Sequence, residues 1–353
     1  MDKQRKQGIK RKSHWKRAMA YTGLGLAALV IALGSVGLYE YHRLQPQNHF
    51  KNLPAVGLTS SNSSSSSTTT SKQSSQSESQ PAGSFNVILF GSDARPSGGN
   101  ISLSDAESHT DSIMLVHVNL KTHQYNVLSI PRDTRVYMPG FGNTKLTSVQ
   151  LLAQSQQGPQ KGTVYAVQLI SKLVGVPINY YAETNYWGLQ AMVNSLGGIT
   201  MDLPFPVTLT HAWYPQDEGL HFTAGPHFLN GKLVTEVVHE RYSVPGTDYG
   251  RQQLQVAALK GIAKSVMSAR NATKLPSLSK SLSQYLMNTN MSTQDVISLA
   301  IGIKGNFSAQ QIHYYQVNGT SEVLYNDALK ANDDEVVLDM NQLHQIIQDH
   351  FTN

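Results

Sequence analysis

The chain has 353 residues, 40% of them hydrophobic and 14% charged, which is enough apolar material for a sizeable core and too much for a disordered protein. Its formal charge of +5 is unevenly spread: the first 17 residues hold eight of the 28 Lys/Arg and one of the 23 acids, leaving 20 bases against 22 acids in the rest. That balance excludes an electrostatic footprint for nucleic acid over most of the chain, and the absence of cysteine excludes a disulfide framework, a thiolate metal site and a cysteine nucleophile.

The basic tail, residues 1–17, runs into Ala18–Tyr39, 22 residues without a charge before Glu40. A helix needs about 20 apolar residues to cross a bilayer. The bases on its N-terminal flank put that end in the cytoplasm and everything after Glu40 outside the cell, with the tail held on lipid headgroups. A cleaved signal peptide, the alternative, would have an apolar stretch of about 7 to 15 residues and a small-residue cleavage site. The reading is therefore a single-pass transmembrane helix over 18–39. From Thr59 to Gln80, 19 of 22 residues are Ser, Thr or Gln. Residues 40–84 accordingly read as a flexible linker that lifts an external domain by roughly 35 to 40 Å.

Strand composition marks Phe85–Ser92, Asp111–Val118 and Gln124–Ile130, the last two joined by the turn Lys121-Thr122-His123. Helical periodicity predicts Thr147–Gln157 and Thr163–Val174, then a strand at Ile178–Glu183 and a helix at Tyr186–Leu196 stopped by Gly197-Gly198. A strand at Ile199–Leu203 closes on Pro204, and helices follow at Leu229–Glu240 and Gly250–Arg270. This alternation predicts an α/β domain over 85–270, a mixed central sheet sandwiched by helices. Residues 271–353 read as a helical C-terminal extension, with a capping box at Ser292-x-x-Asp295 and an amphipathic end at Asp339–Phe351.

Polar clusters interrupt the apolar pattern at predicted strand ends, where α/β proteins hold ligands. They are Gly91-Ser92-Asp93-Ala94-Arg95; Thr110-Asp111-Ser112; Ser129-Ile-Pro-Arg132-Asp-Thr-Arg135 with Pro139–Lys145 behind it; and Glu240-Arg241 followed by Asp248-Tyr-Gly-Arg251 and Gln255. Arg251 and Gln255, at i and i+4, share a helix face. Singly, each fits a turn or a cap. Together, Arg132, Arg135, Lys145, Arg241 and Arg251 beside Asp93 and Asp111 are suited to binding a diphosphate through guanidinium forks and a divalent cation through carboxylates. His239-Glu240 lacks the second histidine a zincin helix needs, and no nucleophile elbow, Walker loop or dinucleotide fingerprint occurs.

The runs NVILFGSD, SIPRDTRVYMPGFGNTK, VPINYY, LGGI, GPHFLNG and D-Y-G-R resemble the LytR-CpsA-Psr (LCP) family of Gram-positive envelope proteins, over Phe85 to about Met267. The resemblance implies an enzyme that transfers a glycopolymer, such as teichoic acid or capsular polysaccharide, from an undecaprenyl-pyrophosphate carrier to peptidoglycan with Mg²⁺ (or Mn²⁺). It implies Asp93 and Asp111 as metal ligands, one of them the base, and Asp93, Asp111 and Arg132 as the catalytic set. The pyrophosphate would be bound among Arg95, Arg132, Arg135, Lys145, Arg241, Arg251, Gln255, His109 and His239. An apolar pocket lined from Val164–Leu173 and Tyr186–Val193 would take the prenyl chain.

Three arginines of the family pattern are His109, His239 and Leu254 here. Two replacements can carry a proton, so activity is expected to rise as pH falls towards 5 to 6. Two alternatives share the same residues: a binding scaffold or regulator without catalysis, and a hydrolase that uses water as acceptor.

Overall fold

A computed structural model describes residues 42–51, 53–57, 83–95, 108–268, 284–303 and 307–352. The expected tail at 1–17 and span at 18–39, with much of the expected linker, lie outside these residues. No helix among the described residues is long and apolar enough to cross a membrane.

A short helix α1 (Pro46–His49) precedes β1 (Ser84–Ser92), β2 (Thr110–Asn119) and β3 (Gln124–Ser129). The hairpin β4 (Arg135–Met138) and β5 (Gly142–Lys145) leads into helices α2 (Leu146–Gln157) and α3 (Pro159–Val174). Next come β6 (Tyr180–Asn185), α4 (Tyr186–Ser195), β7 (Ile199–Leu203), β8 (Val207–Thr208), β9 (His221–Phe222) and β10 (Gly225–Leu229). The chain continues through α5 (Gly231–His239), α6 (Asp248–Val266), β11 (Asn288–Thr289) and α7 (Thr293–Ile303). It closes with β12 (Ile312–Gln316), the hairpin β13 (Gly319–Asn326) and β14 (Ala331–Leu338), and α8 (Met340–His350).

Six strands form a mixed sheet in the order β11-β6-β1-β2-β3-β12. β1 is parallel to β6 and β3 to β12, and the other pairs are antiparallel. Strand side chains alternate between faces, and the two faces have separate cores. Ile88, Phe90, Ile113, Leu115 and Leu128 point at α2, α3 and α8, where Val149, Val167, Ile170, Leu343 and Ile347 meet them. Phe85, Val87, Val118, Tyr125 and Val127 point the other way, at Phe50, Val256 of α6 and Leu299 of α7. Each such apolar side chain, fully buried, contributes about 1.5 to 3 kcal/mol. A second core gathers α4, α5, β7 and β10 against the far side of α6, through Val193, Ile199, Met201, Val237 and Leu254. Apolar on two sides, α6 is a wedge between the sheet and this second unit.

The structure adds β4, β5 and β8–β10, which the sequence reading did not predict, and it corrects that reading at both ends of the domain. The described residues of the expected helical extension over 271–353 are not mainly helical: β11 and β12 are the outer strands of the central sheet, and β13 pairs with β14. The hairpin carries Thr-Ser-Glu and Asn-Asp-Asp on largely exposed positions and a carboxylate, Glu335, at a buried one, so it has no apolar alternation to read. Nor is all of 40–84 a linker. Phe50 is 2% exposed and packs its ring 4.6 Å from Phe85, Val56 N–H donates to Ile178 O at 2.7 Å, and His49 pairs with Asp295 at 2.8 Å. The Ser292/Asp295 capping box and the C-terminal amphipathic helix form as expected.

Candidate functional site

The site begins where β1 and β2 end. In their register Gly91 faces Ser112 and Ser92 faces Thr110, so Asp111 is the extra residue of a β-bulge. A bulge puts consecutive side chains on one face, and Asp111 and Ser112 both turn towards α6. Ser112 Oγ donates to Gln255 Oε1 at 2.9 Å, whereas Thr110 bonds Gln150 of α2 on the opposite face. Gly91 is required for this approach, since a Cβ there would lie 2.9 Å from that of Ser112. Asp93 follows β1 and takes the His109 backbone N–H at 2.7 Å and the His109 ring at 3.2 Å. Burial alone would raise the Asp93 carboxyl, but these two bonds outweigh it and hold it below the usual range. The same pair raises the His109 pKa above its ordinary 6.5, the bond to Asp93 outweighing burial.

Arg132 leaves the end of β3 and donates to Asp111. It is fixed from behind because its carbonyl accepts the Thr147 N–H at the start of α2, at 2.8 Å. Arg251, 3% exposed in the first turn of α6, pairs with Asp248. Both guanidinium groups are incompletely satisfied: the Nε of each is buried without a hydrogen-bond partner among the described residues. The ion pair from Arg132 Nε to Asp133, at 3.7 Å, is too long to count as one. A buried donor left unmade costs about 1 to 3 kcal/mol, so both arginines are held here at some cost to stability.

Asp111, Arg132, Arg241, Arg251, His239 and Glu240, with His211 and Tyr242, line a crevice of about 260 Å³. Burial, followed by the charge of Arg251, lowers the His239 pKa. The His109 and His239 imidazoles therefore shift oppositely, which divides the expected acid-side gain between a His109 that charges readily and a His239 that resists. Tyr186 sits in the field of Asp111, Arg251, Arg132 and Asp93, and burial and Asp111 push its hydroxyl up to about 12.

Behind the crevice lies an apolar cavity of about 230 Å³. Leu89, Met114 and Ala182 of the sheet form its floor; Leu189 and Met192 of α4 and Ala258, Leu259 and Ile262 of α6 form its walls. Of the expected Tyr186–Val193, Tyr186, Leu189 and Met192 line it while Val193 is buried in the second core, and Val164–Leu173 do not line it, because α3 covers the other face of the sheet through Ala166, Val167 and Ile170. Asp111 borders both the cavity and the crevice.

The sequence-predicted set is thus brought together in part. Asp111, Arg132, Arg241, Arg251 and His239 converge, Gln255 joins from the cavity side, and Asp93 and His109 flank Asp111. Arg135 and Lys145 point elsewhere. Arg135 pairs with the fully buried Glu335, and Lys145 bridges Asp133 and Asp333 at 3.4 and 3.0 Å. Arg95 is exposed beyond β1. Leu254 is fully buried in the second core and marks no missing cation in the crevice. The sequence reading missed His211 and Tyr242 as site residues, since neither lies in one of the polar runs, and it quoted Ser112 and Tyr186 only within the Thr110–Ser112 cluster and the expected pocket lining. Asp248, quoted within D-Y-G-R, was visible as the i, i+3 partner of Arg251.

Among the described residues no three His, Cys, Asp or Glu side chains gather into a metal cage. Mg²⁺ does not need one: it binds through one or two carboxylates and completes its octahedron with water and phosphate oxygens. Asp93 and Asp111 are a donor set of that kind, although His109 already occupies both Asp93 oxygens.

Fold and crevice together define a mixed α/β domain with cationic side chains at the mouth of an apolar cavity. The chain belongs to the LytR_cpsA_psr family, whose sequence model matches residues 55–347. It is 27% identical over 237 residues to the Enterococcus faecalis protein named polyisoprenyl-teichoic acid–peptidoglycan teichoic acid transferase TagU, covering 67% of this chain and 70% of that one. It is 26% identical over 296 residues to the Bacillus subtilis transferase TagT, covering 84% of each. Among solved structures, B. subtilis TagV aligns with a TM-score of 0.60 at 23% identity, over 76% of this chain and 96% of that one. TagT bound to LIIa-WTA aligns with a TM-score of 0.56 at 24% identity, over 75% and 89%. These two sequence relatives are thus named as polyisoprenyl-teichoic acid–peptidoglycan teichoic acid transferases.

Proposed function

We propose that this chain is a membrane-anchored, extracellular phosphotransferase that moves an anionic glycopolymer from a polyprenyl-pyrophosphate carrier to a hydroxyl of peptidoglycan. The observation that carries the reading is the position of Asp111, shared by an apolar cavity and an arginine-lined crevice. The ligand this arrangement suits is an amphiphile with a doubly anionic head and a hydrocarbon chain. In the reaction, Arg132, Arg241 and Arg251 hold the diphosphate and meet the charge that develops on it. The acceptor hydroxyl attacks the phosphorus that bears the sugar, Asp111 takes its proton, and the bond to the distal phosphate breaks to release polyprenyl phosphate. Mg²⁺, held by Asp93 and Asp111, would neutralise phosphate charge. The anchor is the apolar run 18–39.

The test is the full chain in vesicles with a polyprenyl-pyrophosphate-linked glycan, peptidoglycan and Mg²⁺. Expected is glycan attached to peptidoglycan with stoichiometric polyprenyl phosphate, lost in Asp111→Asn and Arg132→Ala. Release of polyprenyl phosphate without attachment would make the chain a hydrolase, and binding without release a scaffold.

A further inference from the structure

The crevice opens beside a group of aromatic rings that the transfer chemistry does not use. Trp187 and Trp213 stack with centroids 6.1 Å apart and planes 24° from parallel. Tyr186 meets Trp213 edge-on at 4.4 Å, and the His239 ring lies 4.8 Å from Trp213. Across the mouth, His211 packs on Tyr242 at 4.3 Å and the Arg241 guanidinium sits 4.9 Å above the Tyr242 ring. These rings are not core: Trp187, Trp213 and Tyr242 are 36%, 42% and 57% exposed.

Their positions are fixed by unusual means. Glu236 on α5 and Glu240, the residue that follows its last turn, are 2% and 3% exposed, and both face the segment that carries His211 and Trp213. Glu236 accepts the backbone N–H groups of Trp213 and Tyr214 at 3.1 and 3.0 Å. Glu240 accepts those of Thr210, Tyr242 and Ser243 at 2.8, 2.7 and 3.0 Å. Burying two carboxylates is expensive unless they are fully bonded, and here their bonds hold two exposed aromatic segments on either side of one crevice.

We propose that Trp213 and Trp187, faced by Tyr242, are a saccharide platform that binds the first pyranose rings of the glycan attached to the diphosphate. One face of a pyranose presents several C–H bonds of slight positive charge, which suit the negative face of an indole, while its hydroxyls need polar groups at the ring edge. His239, His211 and Arg241 are those groups, and all three also line the crevice. The inference rests on the reading of the crevice as a diphosphate site. A diphosphate there carries two substituents: the apolar one enters the cavity, so the other emerges on the side where the rings stand. A membrane is the competing occupant, since tryptophan and tyrosine favour lipid interfaces. Topology argues against it. The N-terminal segment docks through Phe50 at Phe85 and Tyr180, the first residues of the β1 and β6 cores. Asp93 and Trp187 follow the other ends of those parallel strands, so the rings stand at the end of the sheet away from where the chain enters.

The sequence holds three tryptophans, Trp15, Trp187 and Trp213. The full chain carrying Trp15→Phe therefore reports from the platform alone. Two probes are compared by affinity and tryptophan emission: farnesyl pyrophosphate, and farnesyl pyrophosphate bearing N-acetylglucosamine. Expected is tighter binding of the sugar-bearing probe, with an emission change the sugar-free probe does not produce. Trp213→Ala should weaken only the sugar-bearing probe, by about five- to tenfold, and Trp213→Phe should restore most of it. Equal affinities for the two probes, with Trp213→Ala matching its parent, would overturn the platform and leave the diphosphate reading intact. Failure of both probes to bind would instead remove the diphosphate reading and the platform with it. An emission shift with phosphatidylglycerol vesicles and none with the sugar-bearing probe would assign the rings to a membrane and overturn the proposal.

Discussion

In the Arg132–Asp111 crevice and in the Arg135–Glu335 network a guanidinium meets a carboxylate, and both arginines come from the single run Pro131–Arg135. Around Arg135 the accounts are closed: Glu335 has no exposure and also accepts from Asn326, while neighbouring Lys145 is shared between Asp133 and Asp333. Around Arg132 they are open, with an unbonded Nε, a second arginine in the same state and a cavity behind. Cations from one motif can thus serve either structure or ligand. What decides is whether acids arrive from elsewhere to complete the hydrogen bonds.

Substitution should separate the two clusters. The largest effect is expected from Arg132→Ala, about a 100-fold loss of affinity for a polyprenyl pyrophosphate measured by calorimetry, because a charged contact in a partly dry site is worth about 2 to 5 kcal/mol. A loss under threefold would erase the contrast. Glu335→Ala should instead cost about 3 kcal/mol of stability in urea unfolding, by leaving Arg135 and Asn326 without their acceptor, and leave ligand affinity unchanged. Filling the cavity with Ile262→Trp should weaken a long-chain polyprenyl pyrophosphate about tenfold while inorganic pyrophosphate binds as before. Equal weakening of both would mean the chain does not lie there.

The smallest effect concerns pH. Protonation makes an imidazole cationic, so diphosphate affinity should rise as pH falls through the His109 range, which lies above 6.5. His239, lowered by burial and Arg251, adds its charge only below 6.5. His109→Gln should remove the upper, roughly threefold rise and keep the lower one. Parallel profiles for the two proteins between pH 5 and 8 would exclude His109 from the contrast.

Much of the frame was legible because it is written in local patterns. The short apolar run at Phe85–Ser92 and the Gly197-Gly198 stop place β1 and α4 within a residue or two. The outer strands were not legible: Asn288–Thr289 is too short to have a period, and the polar β13–β14 hairpin is set by pairing with little burial. At the site, charge and motif found Asp111, Arg132 and Arg251. They could not tell Arg135 from Arg132, because Glu335 lies 200 residues away. The aromatic platform was invisible for a related reason: nothing in Trp187 or Trp213 alone shows that buried glutamates turn the second one outward.

The docking of residues 43–57 decides where this protein tolerates cutting. A soluble version begun at Ser84, where the first long strand starts, would strip Phe50 from its ring partners and the Val56 amide from Ile178. Losing a buried phenylalanine costs about 3 to 5 kcal/mol, a large part of the stability of most domains. Begun at Tyr41, the truncated chain would retain both. Excision within the serine-rich stretch between Gly57 and Gly83 would spare them as well, making that stretch the place to insert a tag or a protease site.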